Sequence, residues 1–316
     1  MGVLSLNDRA MRLGEQLANR AAEVGATLHT VSGAQVIDAG VDATGSLEVG
    51  CLVARICMAD LGTVQITAMD LAGAMLPAVT VNVRFPVAAC MASQYAGWQI
   101  SEGKYFAMGS GPMRAAYGKE DLFNDIGFRE KPRCAVGVLE SAKLPDGMIV
   151  DKIAQSCGVE AANVMLIVAR TASLAGGVQV VARSVETTLH KLHALAFDLN
   201  RVVGGFGAAP LPPVAKDDLA AIGRTNDAML YGAQTTLYVT GDDESLAQVG
   251  EQLPSSASKD YGRPFAEIFK QYDHDFYRID PMLFSPAAVS LQNMDTGRTH
   301  VVGKVNHEVL LQSFFS

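Results

Sequence analysis

The most constraining feature of this sequence is the apolar run at residues 163–169, which reads NVMLIVA. After its first residue it contains no polar side chain. Alternate residues of a strand point to opposite faces of a sheet, so a strand that is apolar at every position has to be covered on both faces. We therefore predict a buried strand in this part of the chain.

The rest of the chain predicts helices and strands in mixed order. Apolar periodicity predicts helices over residues 7–24, 45–60, 86–100, 151–157, 177–197, 243–252, 261–272 and 306–315. Runs of β-branched and apolar residues predict strands at residues 28–37, 64–69, 78–85, 135–139, 230–240, 289–294 and 299–305. Because this order lacks the strict alternation of a Rossmann fold, it predicts an α+β fold with two mixed α/β domains.

A stretch rich in glycine and proline marks the predicted domain boundary. Residues 204–207 read GGFG and residues 210–213 read PLPP, a composition typical of a rigid loop. We predict that residues 1–85 and roughly 205–316 form one domain. Residues 86–204 then form the other domain, which carries the helix predicted for residues 177–197.

Composition excludes several classes of protein. Hydrophobic residues make up 49% of the 316 positions, enough for a large core, and the net charge of −8 is opposite to that of a nucleic-acid-binding surface. The five cysteines form no CxxC pair and their number is odd, which indicates reduced thiols rather than a disulfide framework. The N-terminus lacks the apolar region of a signal peptide, and no run approaches a membrane span. We predict a cytoplasmic protein that binds neither nucleic acid nor membrane.

Metal and nucleophile motifs are weak. His190 and His193 have a spacing that zinc sites use, but there is no HExxH motif and no cysteine pair nearby. Cys90 lacks an identifiable histidine partner and is predicted to be a packing residue. We predict no metal site.

The helix predicted for residues 177–197 carries the most informative polar pair. Arg183 and Glu186 are three residues apart and lie away from the apolar stripe of the helix, formed by Val181, Val185, Leu189, Leu192 and Ala196. One interpretation is a solvated ion pair. The other is a functional pair, favoured because a cation before an anion is the poorer order for helix support and because the preceding segment is rich in glycine.

Several long segments of the sequence resemble those of the methenyltetrahydromethanopterin cyclohydrolase family. They lie in order between residues 89 and 287: ACMASQYAGW, KYFAMGSGP, TASLAGGVQVVARSVETTLHKL, GRTNDAMLYG, PSSASKDYGRPF and DFYRIDPMLFSPA. The resemblance implies reversible hydrolysis of the methenyl derivative of tetrahydromethanopterin to its N5-formyl derivative. It also implies a substrate cleft between two domains, a homotrimer and no metal or organic cofactor. The arginine and glutamate that the family uses in catalysis correspond to Arg183 and Glu186.

The chemistry of these two residue types fits that reaction. A carboxylate can accept a proton from water and return it to a departing nitrogen, and an arginine beside it keeps its charge. Residues that offer an aromatic wall, a carboxylate for the amino edge of the pterin ring or a cation are candidates for substrate binding: Tyr95, Trp98, Glu140, Asp227 and Arg224. Each also has a structural interpretation, since Trp98 suits a core, Asp227 a turn and Arg224 a surface.

Two alternative functions stay open at this stage. A cyclohydrolase that acts on methenyltetrahydrofolate would need the same chemistry, because the two carriers differ in tail and ring methyl groups. A reduced-pterin-binding protein without turnover would need a carboxylate for its cationic ligand but not the arginine, so the Arg183 and Glu186 pair favours an enzyme.

Overall fold

The computed structural model describes residues 4–315. The protein consists of two compact units. Its strands are β1 (Thr27–Val31), β2 (Ala34–Gly40), β3 (Gly62–Leu71), β4 (Ala74–Val83), β5 (Trp98–Glu102), β6 (Tyr105–Ser110), β7 (Ala135–Glu140), β8 (Val164–Ala169), β9 (Val202–Pro210), β10 (Gln234–Val239), β11 (Ala288–Asn293) and β12 (Thr299–Gly303). They form two sheets, which confirms the α+β prediction.

The α-helices are α1 (Leu6–Asn19), α2 (Leu47–Cys57), α3 (Met113–Tyr117), α4 (Leu122–Ile126), α5 (Gly147–Cys157), α6 (Leu174–Val181), α7 (Ser184–Ala194), α8 (Asp218–Asp227), α9 (Asp243–Gly250), α10 (Phe265–Gln271) and α11 (His307–Phe315). Val87–Gln94 and Ala228–Gly232 are π-helical. Short 3₁₀ turns lie at Ala161–Asn163, Leu199–Arg201, Ser255–Ala257, Phe276–Arg278 and Pro281–Leu283. No helix within residues 4–315 is long and apolar enough to cross a membrane.

The first unit has a six-stranded mixed sheet in the order β1-β2-β8-β7-β6-β5. β8 pairs in parallel with both β2 and β7, and all six of its residues are buried. One apolar cluster joins one face of this sheet to α1 and α2, and a second joins the other face to α5. The prediction of a strand covered on both faces is therefore confirmed.

The second unit has a six-stranded sheet in the order β12-β11-β10-β9-β4-β3. Only β10 and β11 pair in parallel among the pairs β12–β11, β11–β10, β10–β9 and β9–β4. Helix α7 packs on β4, β9 and β10, and α9 packs on β11 and β12. On the covered face, alternate strand residues such as Val81, Leu237 and Leu291 are buried, whereas their neighbours along each strand are not.

Strand pairing divides the chain differently from the predicted grouping. The first unit contains the described residues up to Thr63 together with Val87–Gln179, and the second contains Val64–Pro86 and the rest of the chain from Val180. The reason is that β2 pairs with β8, whereas β4 pairs with β9. The N-terminal segment before β3 and the segment that holds β8 thus share one sheet, and Arg183 and Glu186 belong to the second unit.

The GGFG segment is a strand, so the predicted loop there was wrong. Residues 204–207 lie within β9, which pairs on both edges with β4 and β10. Glycine is needed because α7 packs directly on it: a Cβ at Gly207 would lie 2.2 Å from Ser184 Oγ, and one at Gly205 2.7 Å from Val185 Cγ1. Glycine in a strand is typical of such close approach.

This packing gives a stability prediction. We expect Gly207→Ala to lower the free energy of unfolding by about 1–3 kcal/mol, because the added methyl forces α7 away from β9. Urea denaturation measures the change. The matched control is Gly204→Ala on the same strand, whose Cβ would come no closer than 3.3 Å to another heavy atom. Equal costs at the two positions would contradict the packing argument.

Two predicted helices also differ from the structure. The helix predicted for residues 86–100 is π-helical from Val87 to Gln94 and is followed by β5, so Trp98 lies on a strand. The helix predicted for residues 177–197 is broken after Val181 and restarts at Ser184. The break places both Arg183 and Glu186 at the start of the second segment instead of in the middle of one long helix.

Candidate active site

Arg183 and Glu186 lie at the first turn of α7. Arg183 occupies the N-cap position with φ −92° and ψ 10°, and its carbonyl oxygen accepts hydrogen bonds from the backbone N–H and the hydroxyl of Thr187 at 2.8 and 2.9 Å. Glu186 is the acidic residue of that turn. A carboxylate is favoured at the positive end of a helix, whereas an arginine is disfavoured there.

Both side chains are buried, so the interpretation as a solvated ion pair is wrong. Arg183 is 9% exposed and Glu186 is 5% exposed. Burying a charge is costly unless it is paired and hydrogen-bonded, and the helix terminus adds to the cost for the arginine. A protein gains little stability from such an arrangement. Retaining these two charges in its interior is therefore typical of a functional site.

The glycine-rich segment before this turn serves a local packing role. A Cβ at Gly176 would lie 1.9 Å from the carbonyl oxygen of Arg170. Ser173 closes the same turn, because its hydroxyl donates to Arg170 O at 2.7 Å and accepts from the backbone N–H of Gly176 at 2.9 Å. The glycine at 176 is thus explained by the tight connection from β8 to α6 rather than by the approach of a ligand.

Glu140 has a defined set of partners in the first unit. It is half-buried at the end of β7, where its carboxylate accepts a hydrogen bond from Thr171 Oγ1 at 2.5 Å and one from Gln179 Nε2 at 3.4 Å. Two donors hold the carboxylate in one orientation. Thr171 and Gln179 escaped the sequence prediction, because their contacts with Glu140 arise from the fold and have no fixed spacing in the sequence.

Tyr95 and Trp98 have different environments although only two residues separate them. Tyr95 is half-buried just after the π-helical segment, and its ring lies 4.9 Å from the guanidinium carbon of Arg114. Trp98 is 8% exposed, belongs to an apolar core and stacks on Tyr117 with ring centroids 4.1 Å apart. The packing therefore supports the core interpretation of Trp98.

Strand register separates Trp98 from Glu140. Trp98 is aligned with Gly109, and Gly109 with Leu139, so Trp98 and Leu139 share one face of the sheet. Glu140 follows Leu139 on β7 and points to the other face. The two predicted substrate contacts therefore do not line the same side of this sheet.

Asp227 and Arg224 come together in the second unit. Both line a cavity of about 600 Å³ formed by α8, α10, α11 and the segment before α8. Asp227 is 1% exposed; its Oδ1 accepts from the backbone N–H of Phe265 at 2.7 Å, and its Oδ2 has no hydrogen-bond partner within the described chain. Burial raises the pKa of Asp227 to about 7, and Glu267 adds to the rise. The Ser313 hydroxyl and the backbone N–H of Phe265 oppose the rise. Arg224 donates to the carbonyl of Pro213 at 3.2 Å.

Two buried cations also escaped the sequence prediction. Arg114 is fully buried, forms an ion pair with Glu120 at 2.5 Å and donates to the carbonyls of Met91 and Ser93, which fixes the π-helical segment before Tyr95.

The second buried cation, Lys191, is 1% exposed in α7 and donates to the carbonyl of Met282. Burial lowers the pKa of Lys191 to about 8, and the Asp280 carboxylate opposes the shift. The charged residue types were visible in the sequence, but their burial was not.

No group of three or more His, Cys, Asp or Glu side chains within the described part of the chain is placed to hold a metal ion. His190 and His193 are both half-buried on α7. None of the described cysteines forms a disulfide, and burial raises the pKa of Cys157 to about 12, which disfavours its thiolate.

Comparison with known proteins gives consistent matches along the chain. The model of the cyclohydrolase family (MCH) matches residues 5–314. A methenyltetrahydromethanopterin cyclohydrolase of Rhodopirellula baltica is 48% identical over 317 residues, which cover 98% of this chain and 94% of that protein. Proteins of the same name are 48% identical in Methylobacillus flagellatus (90% and 86% covered) and 42% identical in Methanosarcina barkeri (99% and 98% covered).

Proposed function

Because the chain belongs to the cyclohydrolase family (MCH), we propose that it hydrolyses N5,N10-methenyltetrahydromethanopterin to the N5-formyl derivative in a reversible step of one-carbon metabolism. The match over nearly the whole chain, to relatives that carry this name, supports the activity. The observation that carries the site assignment is the burial of Arg183 and Glu186 at the start of α7.

The substrate needs little activation, because its methenyl carbon lies between two nitrogens that share a positive charge. A water oxygen bonds to this carbon while the carboxylate of Glu186 takes one of the water protons. The bond from the carbon to N10 then breaks, its electron pair stays on N10, and Glu186 returns a proton there. The proton of the new hydroxyl group leaves as the formyl carbonyl forms. One proton is released overall, which balances the lost positive charge.

Arg183 and Glu186 have different roles in the proposed reaction. Glu186 acts as general base and then general acid. Arg183 orients the carboxylate and the attacking water. The first turn of a helix supports both roles, because its backbone holds the two residues in a fixed relation and its positive end favours the ionised carboxylate.

Among the predicted pterin contacts, Glu140 and Tyr95 suit the substrate best. Glu140 is held in one orientation by Thr171 and Gln179 and is only half-buried, so its carboxylate suits the amino edge of the pterin ring. Tyr95 offers an aromatic face. Asp227 and Arg224 line a cavity of the second unit and remain candidates for binding part of the carrier, whereas the stacked ring of Trp98 serves the core of the first unit.

We propose that the reaction uses neither a metal ion nor an organic cofactor, because the methenyl carbon is already electrophilic. Activity is therefore expected to stay unchanged after incubation with EDTA and gel filtration, measured by the loss of methenyl absorbance. Loss of activity that Zn²⁺ restores would contradict this and would assign His190 and His193 a role.

The same absorbance assay decides between the alternatives. Turnover of methenyltetrahydromethanopterin that far exceeds turnover of methenyltetrahydrofolate is the expected result. Preference for the folate carrier would move the proposal to a methenyltetrahydrofolate cyclohydrolase. Binding without any turnover would leave a reduced-pterin-binding protein.

We further propose that the enzyme is a cytoplasmic homotrimer whose small-molecule partner is the reduced-pterin substrate. The basis is the family resemblance, together with the acidic net charge of −8 and an odd number of cysteines without a CxxC pair. Light scattering at micromolar concentration tests the trimer, since it measures the mass of the particle directly. A monomer in that experiment would contradict the proposed assembly without bearing on the chemistry.

A further inference from the structure

The cavity of about 600 Å³ lies within the second unit, and neither Arg183 nor Glu186 lines it. Its walls are formed by one face of α8, the start of α10, the end of α11 and the segment that precedes α8. Alanine and glycine contribute much of this wall, so few large side chains fill the space. A volume of this size is typical of a site for a small organic molecule.

Asp227, which lines this cavity, has one carboxylate oxygen without a partner. The side chain is 1% exposed and its Oδ1 accepts a hydrogen bond from the backbone N–H of Phe265 at 2.7 Å, whereas its Oδ2 forms none within residues 4–315. A buried acceptor without a donor costs free energy, and such groups are rare in native proteins. A ligand with an N–H group in the cavity would supply the missing donor.

A second carboxyl group lies at the same end of the cavity. Glu267 lines the cavity from α10, and it is close enough to Asp227 for its negative charge to raise the pKa of that carboxyl group. Phe265, whose N–H binds Asp227, is only two residues before Glu267 in the chain. An amino group bound at this end would therefore find two carboxyl groups as acceptors. We refer to Asp227 and Glu267 as the acidic end.

Two cations, Arg224 and Lys216, form the basic end of the cavity. Arg224 lies one turn before Asp227 on the same face of α8, and its Nη1 donates to the carbonyl oxygen of Pro213 at 3.2 Å. This hydrogen bond holds the guanidinium beside the segment that carries Lys216. Within residues 4–315 neither cation forms an ion pair, and Arg224 uses only one of the N–H donors of its guanidinium. The basic end thus has donors available for an acid group.

The two ends together select the charge of the ligand. A simple anion would gain from the basic end but would face the carboxyl groups of the acidic end, and like charges brought together cost binding free energy. A simple cation has the opposite difficulty. A molecule that carries an amino group and an acid group can satisfy both ends at once.

We propose that the cavity between α8, α10 and α11 binds a small zwitterion of the amino-acid type. Its amino group lies at Asp227 and Glu267, and its carboxylate lies at Arg224 and Lys216. This proposal goes beyond the hydrolysis reaction, and binding can be measured without turnover.

Isothermal titration calorimetry of the full-length chain with 4-aminobutyrate tests the proposal. The matched ligands are butyrate, which has the same carbon chain without the amino group, and n-butylamine, which has that chain without the acid group. We expect 4-aminobutyrate to bind at least about tenfold more tightly than either, because each loses the charge-assisted hydrogen bonds to one end of the cavity. No binding of 4-aminobutyrate, or equal binding of butyrate or n-butylamine, would overturn the proposal.

Variants at the two ends connect this binding to the cavity. Asp227→Asn keeps an oxygen for the N–H of Phe265 but loses its charge, and Arg224→Gln removes the cation that is one turn away. Each is expected to weaken binding of 4-aminobutyrate at least about tenfold. The matched control is Lys270→Gln, since Lys270 is an exposed cation of α10 that does not line the cavity, and its affinity is expected to equal that of the wild type.

Circular dichroism reports whether each variant is folded, and folded Arg224→Gln completes the test if Asp227→Asn does not fold. Wild-type affinity in either folded variant would place the ligand elsewhere and overturn the proposal. Asp227 and Arg224 are also candidates for the pterin carrier, and the methenyl assay distinguishes the two uses. A free zwitterion is expected not to compete with the carrier, whereas competitive inhibition by 4-aminobutyrate would assign the cavity to the carrier and overturn the proposal. An enzyme without methenyl activity that still binds 4-aminobutyrate would contradict only the proposed reaction.

Discussion

Replacing Glu186 with Gln is expected to lower kcat by about 10²–10⁴-fold while the substrate still binds, since this is the usual contribution of a general base. Glutamine keeps the volume of the side chain and one acceptor oxygen, but it cannot take a proton from water. Glu186 is 5% exposed at the first turn of α7, so the substitution also removes a buried charge without opening a cavity.

The measurement is steady-state kinetics by loss of methenyl absorbance, with binding followed separately by equilibrium titration. The matched control is Glu244→Gln, because Glu244 also lies in the first turn of a helix, α9, but is exposed. The control is expected to retain the wild-type kcat. A folded Glu186→Gln variant with near-normal kcat would contradict the role of Glu186 as the base.

The fold was predictable where burial follows directly from the residue pattern. The apolar run at residues 163–169 became β8, buried on both faces, and the two runs around residue 296 became the paired strands β11 and β12. Patterns of this kind leave few alternatives, because a strand with apolar side chains at every position has no face that it can expose to water.

The sequence alone did not show why glycine is present at two places, because a glycine in a loop and a glycine at a close packing contact look alike in a sequence. At residues 204–207 it was interpreted as a loop, whereas it allows α7 to pack on β9. Gly176 belongs to the glycine-rich segment that was taken to favour a functional pair, whereas it admits the carbonyl of Arg170. Which role applies depends on the atoms that lie opposite the glycine in the fold. For β9 these atoms belong to α7, which is distant in sequence, whereas for Gly176 they belong to Arg170, six residues earlier.

The identity of the candidate catalytic pair was predictable, but its setting was not. Residue types and spacing pointed to Arg183 and Glu186, while periodicity placed them on the solvated side of one long helix. The structure breaks that helix between Val181 and Ser184 and buries both side chains. A pattern of polar residues cannot distinguish a solvated face from a polar face that is buried for function, because both present the same residue types.

Replacing Arg183 with Ala is expected to lower kcat/KM by at least about 10²-fold, because the carboxylate and the attacking water lose the group that orients them. It also removes a cation three residues from Glu186, which makes protonation of the carboxylate easier and moves the acid limb of the pH–rate profile to higher pH. Arg183→Lys keeps the charge but loses the planar guanidinium group, so it should restore the position of the acid limb more fully than the rate.

Arg20→Ala, which removes an exposed arginine paired with Glu23 and Glu48, is the control and should change neither the rate nor the acid limb. An unchanged acid limb in folded Arg183→Ala would show that the arginine does not act on Glu186, whereas an unchanged rate would remove it from the mechanism.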